Sequence, residues 1–284
     1  MTLREPSAIA DGWDAHASDY TRLFSPLTGH IARSMVAIVA DRLPPHPRIL
    51  DIACGPGDLS VAAAQMCAER GGGSVLATDL SLVMVETTAH ALSAIAADTR
   101  CDVRDGQALD LDDAGFDVAF SCFGIFLFPD RLAAWRSAAN ALRPGGFLVT
   151  SVWRGPEFNE LASVQMGPFM SALPSRLTEP KPRASWAGLS TAEGLILEVT
   201  ETAPFRDAEI HVVDATLVVP SASAMWRGLE GNPITGALIS RCTSDEKEVA
   251  KKSVIAAFEE RTGGSNLPFL LKASCHVLVA RRIE

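Results

Sequence analysis

The residues with the clearest chemical use run from Ile49 to Ser60, in the order Ile-Leu-Asp-Ile-Ala-Cys-Gly-Pro-Gly-Asp-Leu-Ser. An apolar run closes on an acid, turns through Gly55 and Gly57, and opens at once into a helix-like segment. Strand, glycine loop and helix in that order form the unit with which open α/β sheets hold a nucleotide-like ligand at the carboxyl end of the first strand. Gly55 and Gly57 can take positive φ, and without a Cβ they let a ligand approach the backbone. A carboxylate at Asp51 would repel a pyrophosphate, yet it suits a ligand with a cationic amino group. A dinucleotide loop would also need a third glycine where Ser60 stands, so hydride transfer is disfavoured.

Three further features join the loop. Asp79, followed by Leu80, closes the next predicted strand about 22 residues after Gly57, where a carboxylate can accept both ribose hydroxyls of a nucleoside. Asp105 follows a third strand, with Gly106 and Gln107 beside it, placed to accept a hydrogen bond from an adenine amino group. Ser121-Cys122-Phe123 and the apolar loop Gly124–Pro129 follow the fourth strand, over the place where ligand and substrate should meet.

Taken together these residues resemble the class I S-adenosylmethionine-dependent methyltransferases. Asp51 to Gly57 matches the family's glycine loop, including Ala53 and Cys54. Asp79 matches its ribose-binding acid and Asp105-Gly106-Gln107-Ala108-Leu109 its adenine-side loop. Phe116-Asp117-Val118-Ala119 matches its fourth strand, and Leu142-Arg143-Pro144-Gly145-Gly146 its turn into the fifth. The resemblance covers residues 12–155 and implies S-adenosylmethionine as cofactor and S-adenosylhomocysteine as its product; the cysteines show no His-linked metal spacing, so no metal is expected. Within the family the chain is most similar to methyltransferases of small molecules, of the ubiquinone/menaquinone and natural-product type.

Methyl transfer needs the acceptor held in line with the sulfonium methyl, so positioning and a dry cavity carry much of the work. A base is needed only when the acceptor has a proton to lose. No clear base stands out; His16 and His30, in the N-terminal segment, are the weak candidates. Trp13 and Tyr20 form a Trp-x-x-x-Ala-x-x-Tyr pattern that resembles the family's N-terminal cap. Tyr20 either bonds the methionine carboxylate through its hydroxyl or simply packs on the sheet. Phe24, Phe126, Phe128, Trp153, Met166, Met170 and Trp226 lie in segments expected to surround the methyl, which favours a small hydrophobic or aromatic acceptor. Phe123 belongs with them and with the cofactor loop. The stretch after the fourth strand lacks the Asn/Asp-Pro-Pro-aromatic pattern of base and glutamine methylation. Two other readings stay open: another S-adenosylmethionine enzyme (alkyl or aminopropyl transfer, cyclisation or a lyase step), or a non-catalytic protein that binds the cofactor.

Around these residues the elements alternate. Helix is expected over 12–43, strand over 48–53, helix over 59–70, strand over 74–79, helix over 82–97 and strand over 99–104. Strand follows over 116–122, helix over 131–141 and strand over 147–153. Continuously apolar strands in this rhythm predict a doubly wound, mainly parallel seven-stranded sheet with an antiparallel last strand and a helical cap. The whole chain reads as one domain: a cap at 12–45, the cofactor core at 46–155, a substrate cap at 156–205 and 221–265, and late strands at 206–220 and 266–284. A final helix is expected over 245–262, capped by Ser244 with Lys247 as its charge partner and no capping box.

Composition agrees with an ordinary globular chain: 284 residues, 48% apolar and 21% charged. A net charge of −9 without a basic stripe argues against a nucleic-acid partner. Six cysteines without CxxC spacing read as reduced thiols. No apolar signal core or membrane-length run is visible, so the expectation is a cytoplasmic enzyme, monomeric or homodimeric.

Overall fold

The computed structural model describes residues 6–111, 114–178, 186–264 and 268–283. Seven strands form one sheet: β1 (Arg48–Ile52), β2 (Ser74–Asp79), β3 (Asp98–Val103), β4 (Phe116–Cys122), β5 (Leu142–Trp153), β6 (Phe205–Val219) and β7 (Phe269–Arg282). Their order across the sheet is β3-β2-β1-β4-β5-β7-β6. β1 to β5 run parallel, and β7 lies antiparallel between β5 and β6. Ile49 sits between Val75 and Val118 in register, and the central strand residues Ile49, Leu50, Val118, Ala119 and Phe120 are fully buried. A strand covered on both faces must be apolar throughout, as these are.

The chain moves from β1 outward to β2 and β3, then returns to the other side of β1 for β4 and β5. Right-handed crossovers therefore place the helices of the two halves on opposite faces. α1 (Pro6–Ala40), α2 (Asp58–Glu69) and α3 (Leu82–Leu92) pack together, whereas α4 (Arg131–Ala141) packs against α8 (Ala192–Thr202). Glu198 of α8 accepts two hydrogen bonds from the Arg131 guanidinium, at 2.7 and 2.6 Å, and one from the Trp135 indole at 3.0 Å.

α1 is long but not straight. Its two limbs, Ile9–Arg22 and Phe24–Ala40, meet at 83°. Pro26 lies just beyond the bend; it lacks an N–H for the carbonyl four residues back, and its ring crowds that turn.

Between β5 and β6 the chain forms short pieces, α5 (Gly167–Ala172), α6 (Ser175–Thr178) and α7 (Trp186–Leu189), before α8. Pro180 and Pro182 lie outside the described residues. α9 (Ala222–Glu230), α10 (Pro233–Ile239) and α11 (Ser244–Thr262) follow β6.

Several element ends differ from expectation. α3 stops at Leu92, five residues early, and β5 begins at Leu142, five residues before the expected 147. β7 bonds β6 along nearly its whole length, and that long pairing extends both strands past their apolar cores. The cap of α11 is Thr243, not Ser244. The Thr243 hydroxyl accepts from Glu246 N while the Glu246 carboxylate accepts from Thr243 N, a full capping box. Among the described residues no single helix is long and apolar enough to cross a membrane.

Candidate active site

The chain reverses its direction of travel between β1 and β4, and in such sheets the loops diverge there and leave a crevice. The backbone at that point is held in unusual shapes. Ala53 and Phe123, at the ends of the two strands, both take positive φ (58° and 57°), as do Gly55 (55°) and Gly57 (96°). Each non-glycine residue so placed costs about 1–3 kcal/mol, which the surroundings must over-determine. They do. Gly55 N donates to the Asp79 carboxylate at 2.9 Å, and the Thr88 hydroxyl donates to Gly55 O at 2.8 Å. The Ser121 hydroxyl donates to Ile52 O at 3.0 Å, and Phe123 N donates to Ser151 Oγ at 3.0 Å.

A cleft enclosing about 960 Å³, part of it open to solvent, runs along these strand ends. Strand neighbours lie about 4.8 Å apart, so from β3 to β4 the cleft crosses roughly 14 Å. The β3 end carries Arg104, Asp105, Gly106 and Gln107; β2 contributes Asp79 and Leu80; β1 contributes Ala53 to Pro56; β4 contributes Cys122, Phe123 and Gly124. Ile9, Trp13 and Tyr20 from the first limb of α1 and Thr28 from the second line it too. Asp14 ties that first limb down, accepting from the Ser81 hydroxyl and, at 3.3 Å, from Val83 N. The Tyr20 ring is edge-on to Trp13 at 5.5 Å and stacked on Phe24 at 5.4 Å.

The polar end is locally rigid. Asp105 accepts from Gln107 N at 2.9 Å and from the Gln107 side-chain amide, whose oxygen in turn accepts from Asp130 N at 2.7 Å. A Cβ on Gly106 would fall 2.5 Å from the Phe128 ring, so that ring lies directly against the backbone. Asp79 is bonded by Gly55 N and Ser81 N; burial nonetheless raises its pKa. Burial also raises Asp58, partly offset by the Thr28 hydroxyl at 2.9 Å. The Tyr20 phenol is pushed up, first by burial and then by Cys122, Asp58 and Asp79, so it is present as a donor. Burial keeps the Cys54 and Cys122 thiols protonated. Three carboxylates face one arginine, and that arginine is already paired with Asp102.

The structure brings most of the expected cofactor residues into this cleft: Tyr20, Ala53, Cys54, Gly55, Asp79, Leu80, Asp105, Gly106, Gln107 and Phe123. Three do not line it. Asp51 is 1% exposed and lies beneath the loop, where the Ser60 hydroxyl donates to it at 2.6 Å; its Oδ1 has no partner. Burial first, and Asp79 further on, lift its pKa to about 7. Gly57 packs against α3, where an added Cβ would meet Thr88 Oγ1 at 2.9 Å. Ser121 is fully buried and stitches β4 to β1.

Of the expected acceptor residues only Phe128 lines the cleft. Trp153 stacks behind Phe123 at 4.0 Å, and Phe126 is buried edge-on to the same ring. Trp226 is buried against Phe169, Met170 packs on the core, and Met166 is 40% exposed. Phe24 lines a separate small cavity with Gln165, Val219 and Met225. His30 is exposed, and His16 faces Gly236 of α10; neither lines the cleft. The apolar positions were legible as buried, but which pocket each faced depended on contacts distant in sequence. Asp58, Thr28 and Arg104 were missed. Asp58 had a signal, an acid directly after the last glycine, hidden because acids are common in the first turn of any helix.

A family profile described as a methyltransferase domain matches residues 49–146, the stretch that builds β1 to β5 and most of the cleft. Over these residues the chain is similar to methyltransferase domains. It is 26% identical over 175 residues to an uncharacterised protein of Mycobacterium tuberculosis, covering 57% of this chain and 61% of that one. It is 28% identical over 149 residues to the 2-phytyl-1,4-naphtoquinone methyltransferase of Synechococcus elongatus, covering 51% and 63%. The chain thus spans about three fifths of these relatives. The fold is similar to that of a Haemonchus contortus phosphoethanolamine N-methyltransferase solved with S-adenosylmethionine: TM-score 0.52, 16% identity, 97% of this chain and 60% of the other. Among the described residues no three or more His, Cys, Asp and Glu side chains group as metal ligands.

Proposed function

We propose that the protein transfers the methyl group of S-adenosylmethionine to a small, apolar acceptor. The observation that carries this reading is the polarity of the cleft, with carboxylates at β2 and β3 and apolar and thiol groups at β4. A ligand with a nucleoside at one end and positive charge toward the other matches that order. A pyrophosphate would meet carboxylates instead of donors. The unpartnered, buried Oδ1 of Asp51 beneath the loop also fits a cationic ligand above it.

In this reading Asp79 holds the ribose hydroxyls, and Asp105 with Gly106 and Gln107 holds the adenine. Tyr20 donates to the amino-acid carboxylate. The cofactor supplies an electrophilic methyl on a positively charged sulfur. Cys122, Phe123, Leu127 and Phe128 form a wall that excludes water beside it. The bent α1 closes the cleft from above and fixes the direction from which an acceptor approaches. Holding the two reactants in line in a dry site is the main source of acceleration, and neither histidine singled out in the sequence is in reach to act as base.

Calorimetric titration with S-adenosylhomocysteine, with NADH as comparison, tests the reading. Saturable binding of S-adenosylhomocysteine alone is expected. Binding of NADH alone, or of neither, would overturn it. Transfer of a labelled methyl to members of a panel of phenolic and quinol acceptors then separates methyl transfer from mere cofactor binding.

A further inference from the structure

We propose that Asp58, not Asp51, is the carboxylate that meets the ammonium of the cofactor's amino-acid end, making the cleft select S-adenosyl ligands over plain nucleosides. The identity of the ligand rests on the methyl-transfer reading; the choice of residue rests on the structure.

Asp51 is excluded by position. It is buried beneath the glycine loop, outside the cleft wall, and its contacts go to Ser60 in the first turn of α2. Asp58 lies in the wall itself, beside Pro56, Leu59, Tyr20 and Thr28. The Thr28 hydroxyl bonds its Oδ2 at 2.9 Å, and the Ser25 hydroxyl and the Arg33 guanidinium also stabilise its charge against burial. These neighbours fix the side chain, and a carboxylate with its four lone-pair sites keeps acceptor capacity toward the cleft. Its charge is felt by Tyr20, Cys122 and Asp51 alike, which sets it among the groups of β1 and β4. Asp79 and Asp105 stand at β2 and β3, on the side assigned to the nucleoside.

The start of α2 adds the complementary half. Its N-cap is Gly57, whose missing side chain makes no capping bond. Backbone N–H groups in a helix's first turn have no partner within the helix and attract a carboxylate. An α-amino acid presents an ammonium and a carboxylate on one carbon. Asp58 and the first turn of α2, with Tyr20 across from them, offer the opposite pair within one turn.

The test is calorimetric titration of wild type and Asp58→Asn with S-adenosylhomocysteine and with 5′-methylthioadenosine, which lacks the amino-acid head. Asparagine keeps an acceptor for Thr28 and removes only the charge. S-adenosylhomocysteine affinity should fall about tenfold to a hundredfold, the effect of one charge-assisted bond, while 5′-methylthioadenosine affinity stays within about twofold. Asp58→Ser, with thermal melting as the check on folding, should show the same selectivity change. Equal losses for both ligands would make Asp58 a structural residue and overturn the assignment, as would unchanged S-adenosylhomocysteine affinity. Failure of the wild type to bind S-adenosylhomocysteine would instead overturn the methyl-transfer reading on which it rests.

Discussion

The two ends of the cleft are built by different means. At the β2 and β3 end each carboxylate accepts a bond from a neighbour two residues on in the chain, Asp79 from Ser81 N and Asp105 from Gln107 N, with Gly55 N of the adjacent β1 loop as the second partner of Asp79. At the β4 end the wall is assembled from segments far apart, Tyr20 and Thr28 from the two limbs of α1 meeting Asp58, Cys122 and Phe123. The β2 and β3 end therefore rests on short loops at neighbouring strand ends. The β4 end depends on how a bent helix lies on the sheet.

Substitutions can break that contrast, beginning with the polar end. Asp79→Ala should cost about 3–4 kcal/mol of S-adenosylhomocysteine binding, because two charge-assisted hydrogen bonds to ribose vanish together. A titration of the folded variant that matched wild type would remove Asp79 from the ribose assignment. Gly57→Ala comes next. A positive φ of 96° and a 2.9 Å approach to Thr88 Oγ1 should lower folding stability by about 2–3 kcal/mol, measured by denaturant unfolding, and weaken binding with it.

The acid beneath the loop gives a pH signature that neither end alone would show. The folded pKa of Asp51 is about 7, well above its unfolded value. The folded state then holds a proton that the unfolded state has released, so stability is lost as pH rises from about 4 through 7. Asp51→Asn should flatten that decline by about 2–3 kcal/mol between pH 5 and 8 in unfolding experiments. Binding a cationic ligand should lower the Asp51 pKa and release a fraction of a proton near neutral pH. Calorimetric heats in buffers of different ionisation enthalpy would reveal it, and buffer-independent heats would contradict it.

The smallest effect concerns the strained junction between the two ends. Ala53→Gly relieves a positive φ of 58° and should stabilise the fold by about 1 kcal/mol. Binding should weaken slightly, because the loop becomes less ordered before the ligand arrives. Equal stability for the two proteins would show that Ala53 is not strained.

The order β-α-β-α across residues 48–153, the glycine loop, and the acids at the ends of β2 and β3 could all be read in the sequence by itself. Each depends on local rules: unbroken apolar runs for buried strands, glycine where φ is positive, an acid two residues before the N–H it accepts. The sequence also marked most of the apolar residues between β5 and β7 for burial. Only the tertiary structure decided where. It took Asp51 out of the cleft and put Asp58 in, turned Trp226 and Phe126 into core, left Met166 exposed, and bent α1 near Pro26 so that Tyr20 reached the site. These outcomes depend on packing between segments distant in the chain, where any apolar side chain satisfies the burial pattern equally well. The pattern fixes that a side chain is covered, and the geometry of the covering element fixes what it faces.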